Sequence, residues 1–414
     1  MMLRLEILKL RRQRRLIFSF ILLLAVMIGA LEVSLYRQQQ QLQSTTEQMT
    51  ATLVLLKKTG NPADVQVQKT VTLFETQRND LQTLNVTKLT SAGYDSMHQQ
   101  NPWLLYSGQT LLPNLHAGET QATLDELHYL KTFNIPSMMP LTIRINPSTV
   151  TTNNLNANDS SWLPALSSRF YEKGWYQVWM WAAVGGVFIL LSLLNVFLGD
   201  QLATEYDSDP THQSWLKMQG IGYKKMILVK LGTHIMASLA VVGSALGVFL
   251  IYAYFRTGLG NLGYPVQYWQ SGAAHTFYLW PTAQKDASFF APLKMVFQPL
   301  TKYLLSLGIF TVTMIVFNSA FTLLINQLVK LRFPVIIGLT LLPLIGFVLP
   351  ASRFNPYTWL NADWLITNYL GAFQNGHSSY FMAVIVSLLV SAGVIIALTL
   401  SLPKIGGRHA KSSI

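Results

Sequence analysis

Residues 200–230 read DQLATEYDSDPTHQSWLKMQGIGYKKMILVK. They form a polar island between two long apolar segments. Acids come first (Asp200, Glu205, Asp207, Asp209). An amphipathic run follows (Trp215, Leu216, Met218, Ile221), and the bases Lys217, Lys224, Lys225 and Lys230 fall late. The stretch is too short for a domain and too patterned for a slack linker. Such an island makes sense if its flanks cross a membrane and it stands on one side as a contact surface. The fold is therefore decided by what lies on either side.

The composition agrees with a membrane chain. Half of the 414 residues are hydrophobic (50%) and only 12% are charged. A soluble domain of this size carries about a quarter charged residues. The net charge of +12 raises nucleic acid as a partner, but the bases cluster where apolar segments end, which speaks against it. No cysteine is present, so disulfides, zinc–thiolate sites and thiol chemistry are excluded.

Outward from the island, the hydropathy predicts an all-α polytopic membrane protein with six transmembrane helices: 16–36, 175–199, 231–255, 303–329, 333–351 and 380–402. Each is near the ~20 residues that cross the hydrocarbon. Residues 1–15, MMLRLEILKLRRQRR, carry six bases against one acid. They read as a cytoplasmic amphipathic helix on an anionic leaflet; a signal peptide is the alternative. Bases also follow at 200–230, at Lys330 and Arg332, and in the tail 403–414. Both termini are thus expected in the cytoplasm of a cell membrane, with a bacterial plasma membrane the expected setting.

Residues 37–174 then lie outside, as a mainly helical extracellular domain. Leu42, Met49, Leu53 and Leu56 make one apolar stripe. Val67, Val71, Phe74, Leu81 and Leu84 make another after Gly60-Asn61-Pro62. Two stripes across a turn predict a helical hairpin. A third helix is expected over 120–133 and a short strand over 141–145. The loop 256–302 is rich in aromatics, with prolines at 265, 281, 292 and 299 that prevent one long helix. It suits the headgroup region; a ligand-binding lid is the alternative. The loop 352–379, after the second outer loop 256–302, is a further outer segment with an amphipathic stretch over 359–373. Within the spans, Gly185-Gly186 and the Gly243/Gly247 pair suggest close helix approach. Pro343 predicts a kink.

Chemistry is conspicuous by its absence. No GxxxxGK[ST], HExxH or GxSxG occurs. No intramembrane pair of acids is available to couple transport to protons or sodium. His234 reads as a packed polar residue, with a proton relay as the alternative. Asn195, Asn318 and Asn326 read as hydrogen-bond donors between helices. The expectation is a non-enzyme without metal or cofactor, and a transporter of this kind must draw energy from a partner.

The island now carries a resemblance. Thr204-Glu205-Tyr206 after the second span, then LKMQGIGYKKMILVKL running into the third, resembles the permease subunits of type-2 ABC transporters. The likeness extends to the basic N-terminus, the outer region after the first span, Gly263-Tyr264-Pro265 and Phe354-Asn355-Pro356. Asp209-Pro210-Thr211 departs from the small Gly-Thr turn common in that family, and the second outer loop is longer. The resemblance implies docking on a separate ABC ATPase subunit, which binds the ATP, and pairing with a second permease subunit. The ATPase-docking residues it implies are Glu205, Trp215, Leu216, Lys217, Met218, Lys224 and Lys225. The apolar members would fill a groove on the ATPase, and the charges would set register more than affinity. The expected function is an exporter of an amphipathic, peptide or antibiotic-like compound. A membrane-anchored sensory or regulatory protein, controlling an envelope process without moving a substrate, is the alternative.

Overall fold

The computed structural model describes residues 14–60, scattered helical positions within 65–79, residues 126, 128–138, 171–200, 203, 222–269, 295–329, 331–371 and 379–400. The predicted amphipathic N-terminus, the strand over 141–145, most of the island and the tail lie outside them. The chain divides into two compact units. One takes Met1–Gly29, Val178–Leu259 and Lys302–Ile414; the other takes Ala30–Gln177 and Gly260–Thr301.

The described chain is mostly helical. Its helices are α1 (Arg15–Thr59), α2 (Gly174–Ala183), α3 (Gly186–Leu198), α4 (Tyr223–Arg256), α5 (Leu300–Leu328), α6 (Arg332–Val348), α7 (Ala362–Ile366) and α8 (Tyr380–Leu400). Four stretches are long and apolar enough to cross a membrane: Arg15–Gln40, Lys224–Arg256, Leu300–Leu328 and Tyr380–Leu400. The pair α2 and α3 would make a fifth, and α6 is a shorter apolar helix.

In the first unit, α5 is the most enclosed of these helices. Its apolar window is 56% buried, against 22% for α1 and α8 and 28% for α4. Met226, Ile227 and Leu231 of α4 pack with Ala320 and Leu323 of α5 and Leu398 of α8. The opposite helix faces stay apolar and exposed, as at Ile17, Phe18 and Ile21 of α1 and Phe381, Ile385 and Leu389 of α8. An apolar face without a protein neighbour is what lipid contact requires. Hydroxyls within these helices bond back to carbonyls one turn earlier, as Thr311 does to Leu307 (2.7 Å) and Ser387 to Ala383 (2.7 Å). Those bonds satisfy the hydroxyls where no water reaches.

Several expectations are corrected here. The second span is not one straight helix over 175–199: α2 and α3 meet at 82°. Gly185 sits in the left-handed region at φ 86° and ends the first helix there. A Cβ on it would also lie 2.9 Å from the Phe347 ring. A Cβ on Gly243 or Gly247 meets nothing within 4 Å among the described residues, so the pair packs against no helix there. The third helix begins at Tyr223, so the last eight residues of the 200–230 island belong to α4.

The segment 352–379 is not a plain loop either. After α6 the chain folds back through a 3₁₀ turn, Pro356–Trp359, and α7. Pro356, Tyr357, Trp359, Leu360, Leu365 and Ile366 are buried. Gly346 permits this: a Cβ there would stand 2.3 Å from Tyr357 Cβ and 2.6 Å from its carbonyl oxygen.

The second unit is not purely helical. Strands β1 (Pro265–Trp269) and β2 (Met295–Pro299) pair antiparallel, with Pro265 opposite Pro299 and Trp269 opposite Met295. Backbone bonds from Leu300 to Tyr264 (2.9 Å) and Thr301 to Leu262 (2.9 Å) extend the ladder. Each proline sits at a strand end, where its missing donor costs least. Tyr264 organises the unit: its hydroxyl donates to Glu126 (3.0 Å) and accepts from the Met138 amide (3.4 Å), and its ring meets Tyr176 edge-on. Helical residues 128–132 end at Asn134 in the left-handed region, φ 50°, ahead of Pro136, where the sequence predicted a helix end. The expected hairpin is supported by an ion pair, Lys57 to Glu75 at 2.5 Å, between α1 and the helical positions beyond residue 65.

Candidate functional site

The island is best read from its two ends, both of which belong to the first unit. At the leading end, Asp200 has 1% of its side chain exposed and is held by two guanidinium groups. Arg15, the first residue of α1, bonds Oδ1; Arg332, the first residue of α6, bonds Oδ2 at 2.6 Å. A buried carboxylate survives when it is paired and hydrogen-bonded in this way.

Just beyond, the chain is clamped again. Asn326 of α5 donates to the Gly199 carbonyl (2.6 Å) and accepts from the Ala203 amide (2.8 Å). One side-chain amide thus caps the end of α3 and fixes the first turn of the island. Ala203 itself is fully buried against Val335 and Leu339 of α6. A force applied to the island at this end therefore meets α1, α3, α5 and α6 with little slack between.

Deeper along the same helices lies a second set of braces. Asn195 donates to Asn318 Oδ1 (3.2 Å) and to the Leu339 carbonyl (2.8 Å). That carbonyl would ordinarily accept from residue 343, which is Pro343 and has no N–H. Asn195 supplies the missing donor. Asn318 returns a bond to Asn195 Oδ1 (2.7 Å), and the Tyr357 hydroxyl donates to Asn318 Oδ1 (3.0 Å). The folded-back segment is held at its far side by Asp363, which accepts from Trp179 Nε1 (3.1 Å) and the Tyr303 hydroxyl (2.8 Å).

At the trailing end, Lys224 and Lys225 lie in the first turn of α4 and are exposed, while Met226 and Ile227 turn into the core. Lys230 is buried, with 1% of the residue exposed. One turn further, His234 Nδ1 lies 2.8 Å from Ser319 Oγ of α5. Of the seven docking residues read from the sequence, Lys224 and Lys225 are placed. Glu205, Trp215, Leu216, Lys217 and Met218 lie outside the described residues. The sequence reading missed the Asp200 clasp, although its signal was present: two arginines open apolar segments and one acid closes another. It did foresee Asn195, Asn318 and Asn326 as bonds between helices.

No group of three or more His, Cys, Asp or Glu side chains suited to a metal occurs among the described residues. No protein-family model, curated protein or solved structure matches the chain.

Proposed function

We propose that this chain is the membrane-spanning permease half of an ATP-driven exporter, energised by a separate ABC ATPase that docks on residues 200–230. The observation that carries the reading is the anchoring of that segment. Its leading turn is tied by Asp200, Gly199 and Ala203 to α1, α5 and α6. Its trailing end runs without a break into α4, with Lys224 and Lys225 exposed. A wedge gripped at both ends passes movement on; a solvated loop does not. In this reading six segments cross a bacterial plasma membrane, α2 with α3 and α6 among them. Both termini are cytoplasmic, and the chain pairs with a second permease subunit.

Purification of the full chain from its native membrane should bring an ATPase with it. Reversing Glu205→Lys together with Lys217→Glu should weaken that recovery. A preparation with no ATPase partner and no ATP hydrolysis overturns the reading.

One observation favours a second reading. Helix α1 continues to Thr59, 19 residues past the end of its candidate span at Gln40, and is braced there by Lys57 and Glu75. A stiff rod of that kind suits a regulator that sends force to an extracellular domain and moves no substrate. ATP hydrolysis in vesicles without flux of an amphipathic peptide would select it.

A further inference from the structure

The clasp at Asp200 is unbalanced. Two cations meet one anion, leaving one positive charge over among the three residues. Arg15 is mostly sunk, with 16% of its side chain exposed, while Arg332 is 46% exposed. Arg332 uses Nε on Asp200, and its two terminal nitrogens hold no bond among the described residues. A guanidinium carries five donors in a rigid fork matched to carboxylate and phosphate oxygens. Most of that fork is unspent.

The position of the pair narrows what completes it. Arg15 opens α1 and Arg332 opens α6, both apolar helices, so both sit where hydrocarbon gives way to headgroups. Neither helix has an acid in its first turn, and α6 has no side-chain cap. The positive potential of the helix ends therefore adds to that of the arginines. An anion at this depth is the phosphate of a lipid.

We propose that Arg15 and Arg332 form a binding site for the phosphodiester of an anionic phospholipid headgroup. Asp200 acts as the buried counter-ion that holds the two guanidinium groups side by side. Arg332 makes the direct contact, and Arg15 sets the potential. The lysines at 224 and 225 are exposed bases on one helix without such a counter-ion, and they supply only diffuse attraction.

The test uses the full chain in nanodiscs of phosphatidylcholine, with and without added phosphatidylglycerol, at low salt. The unfolding midpoint should rise with phosphatidylglycerol. Arg332→Gln should lose at least half of that rise, whatever its midpoint in phosphatidylcholine alone. Arg332→Lys should keep part of it. Asp200→Asn should lose part of it, because the two guanidinium groups are no longer held side by side. Lys302→Gln, a base at the other end of α5, should leave it intact. The proposal is overturned if Arg332→Gln retains the full rise, or if Lys302→Gln loses as much. It is also overturned if inorganic phosphate in phosphatidylcholine nanodiscs gives the same rise, since the ligand is then free phosphate. The measurement involves no ATPase, so its outcome is separate from that of the proposed function.

Discussion

Two aspartates, near the two ends of α5, do similar work with opposite chemistry. Asp200, beside Asn326 and Gly199, is fully buried and held by two arginines. Asp363 is half-buried and held by neutral donors, the indole of Trp179 and the hydroxyl of Tyr303. Tyr303 and Asn326 are 23 residues apart on one helix, about 35 Å. One end is locked by charge and the other by fit. A charge lock fails when either sign is removed, because the remaining ion is stranded. A neutral lock fails only when its donors move away.

The largest expected effect comes from making one substitution at both sites. Asp200→Asn strands Arg15 and Arg332 and should cost about 3–5 kcal/mol, the range for half of a buried ion pair. Asp363→Asn keeps an oxygen that still accepts both donors and should cost about 1 kcal/mol. Denaturant unfolding in detergent reads both, and equal losses would erase the contrast.

Next in size, Gly346→Ala attacks the folded-back segment by driving a methyl group into Tyr357, whose hydroxyl bonds Asn318. Overpacking of this kind costs about 1–3 kcal/mol. Hydrogen exchange should quicken over 356–366 and stay unchanged over 332–340. Equal quickening in both would mean that the two ends are not independent.

A smaller effect probes the bridge between them. Asn195→Ala should cost about 1 kcal/mol, the scale of polar bonds between membrane helices. Pro343→Ala restores an N–H for the Leu339 carbonyl, so the loss on Asn195→Ala should shrink in that background. A double-mutant cycle showing no coupling would sink the account of Asn195 as a substitute donor.

The smallest effect concerns a third carboxylate, in the other unit. Burial pushes Glu172 above the usual 4.5, with desolvation outweighing its bond from Gln38 and the field of Lys173. A carboxyl raised in the folded state contributes stability in full below its unfolded value. That contribution is lost as pH rises through the raised one. Stability of this unit should therefore fall slightly as pH climbs above 4.5, and Glu172→Gln should flatten that slope.

Apolar length was the plainest signal in the sequence. It located α1, α4, α5 and α8, because twenty apolar residues leave the backbone few alternatives. It also overran. Gly185-Gly186 read only as a place for close packing, which the Phe347 ring 2.9 Å from a Cβ at Gly185 bears out, but the left-handed φ there also turns the chain through 82°. No hydropathy window registers one dihedral. The fold-back after α6 was hidden for a related reason. Trp359 to Phe373 looked like an amphipathic surface stretch, and only the notch at Gly346 shows that Tyr357 fits beneath it. The β1–β2 pair joins strands 25 residues apart, a pairing that local pattern does not carry. The asparagines were legible because an amide in an apolar helix must bond something. Their partners were side chains and backbone groups of other elements, known only once those elements are placed.

Unequal helix lengths have a consequence of their own. Helix α3 has 13 residues and α6 has 17, about 20 and 25 Å, while α4 has 34, about 50 Å. A hydrocarbon layer near 30 Å suits none of the three. In the six-span reading proposed above, the bilayer thins beside α6 while α4 tilts or protrudes. On that reading stability should respond to acyl-chain length, with thick membranes penalising α6 first.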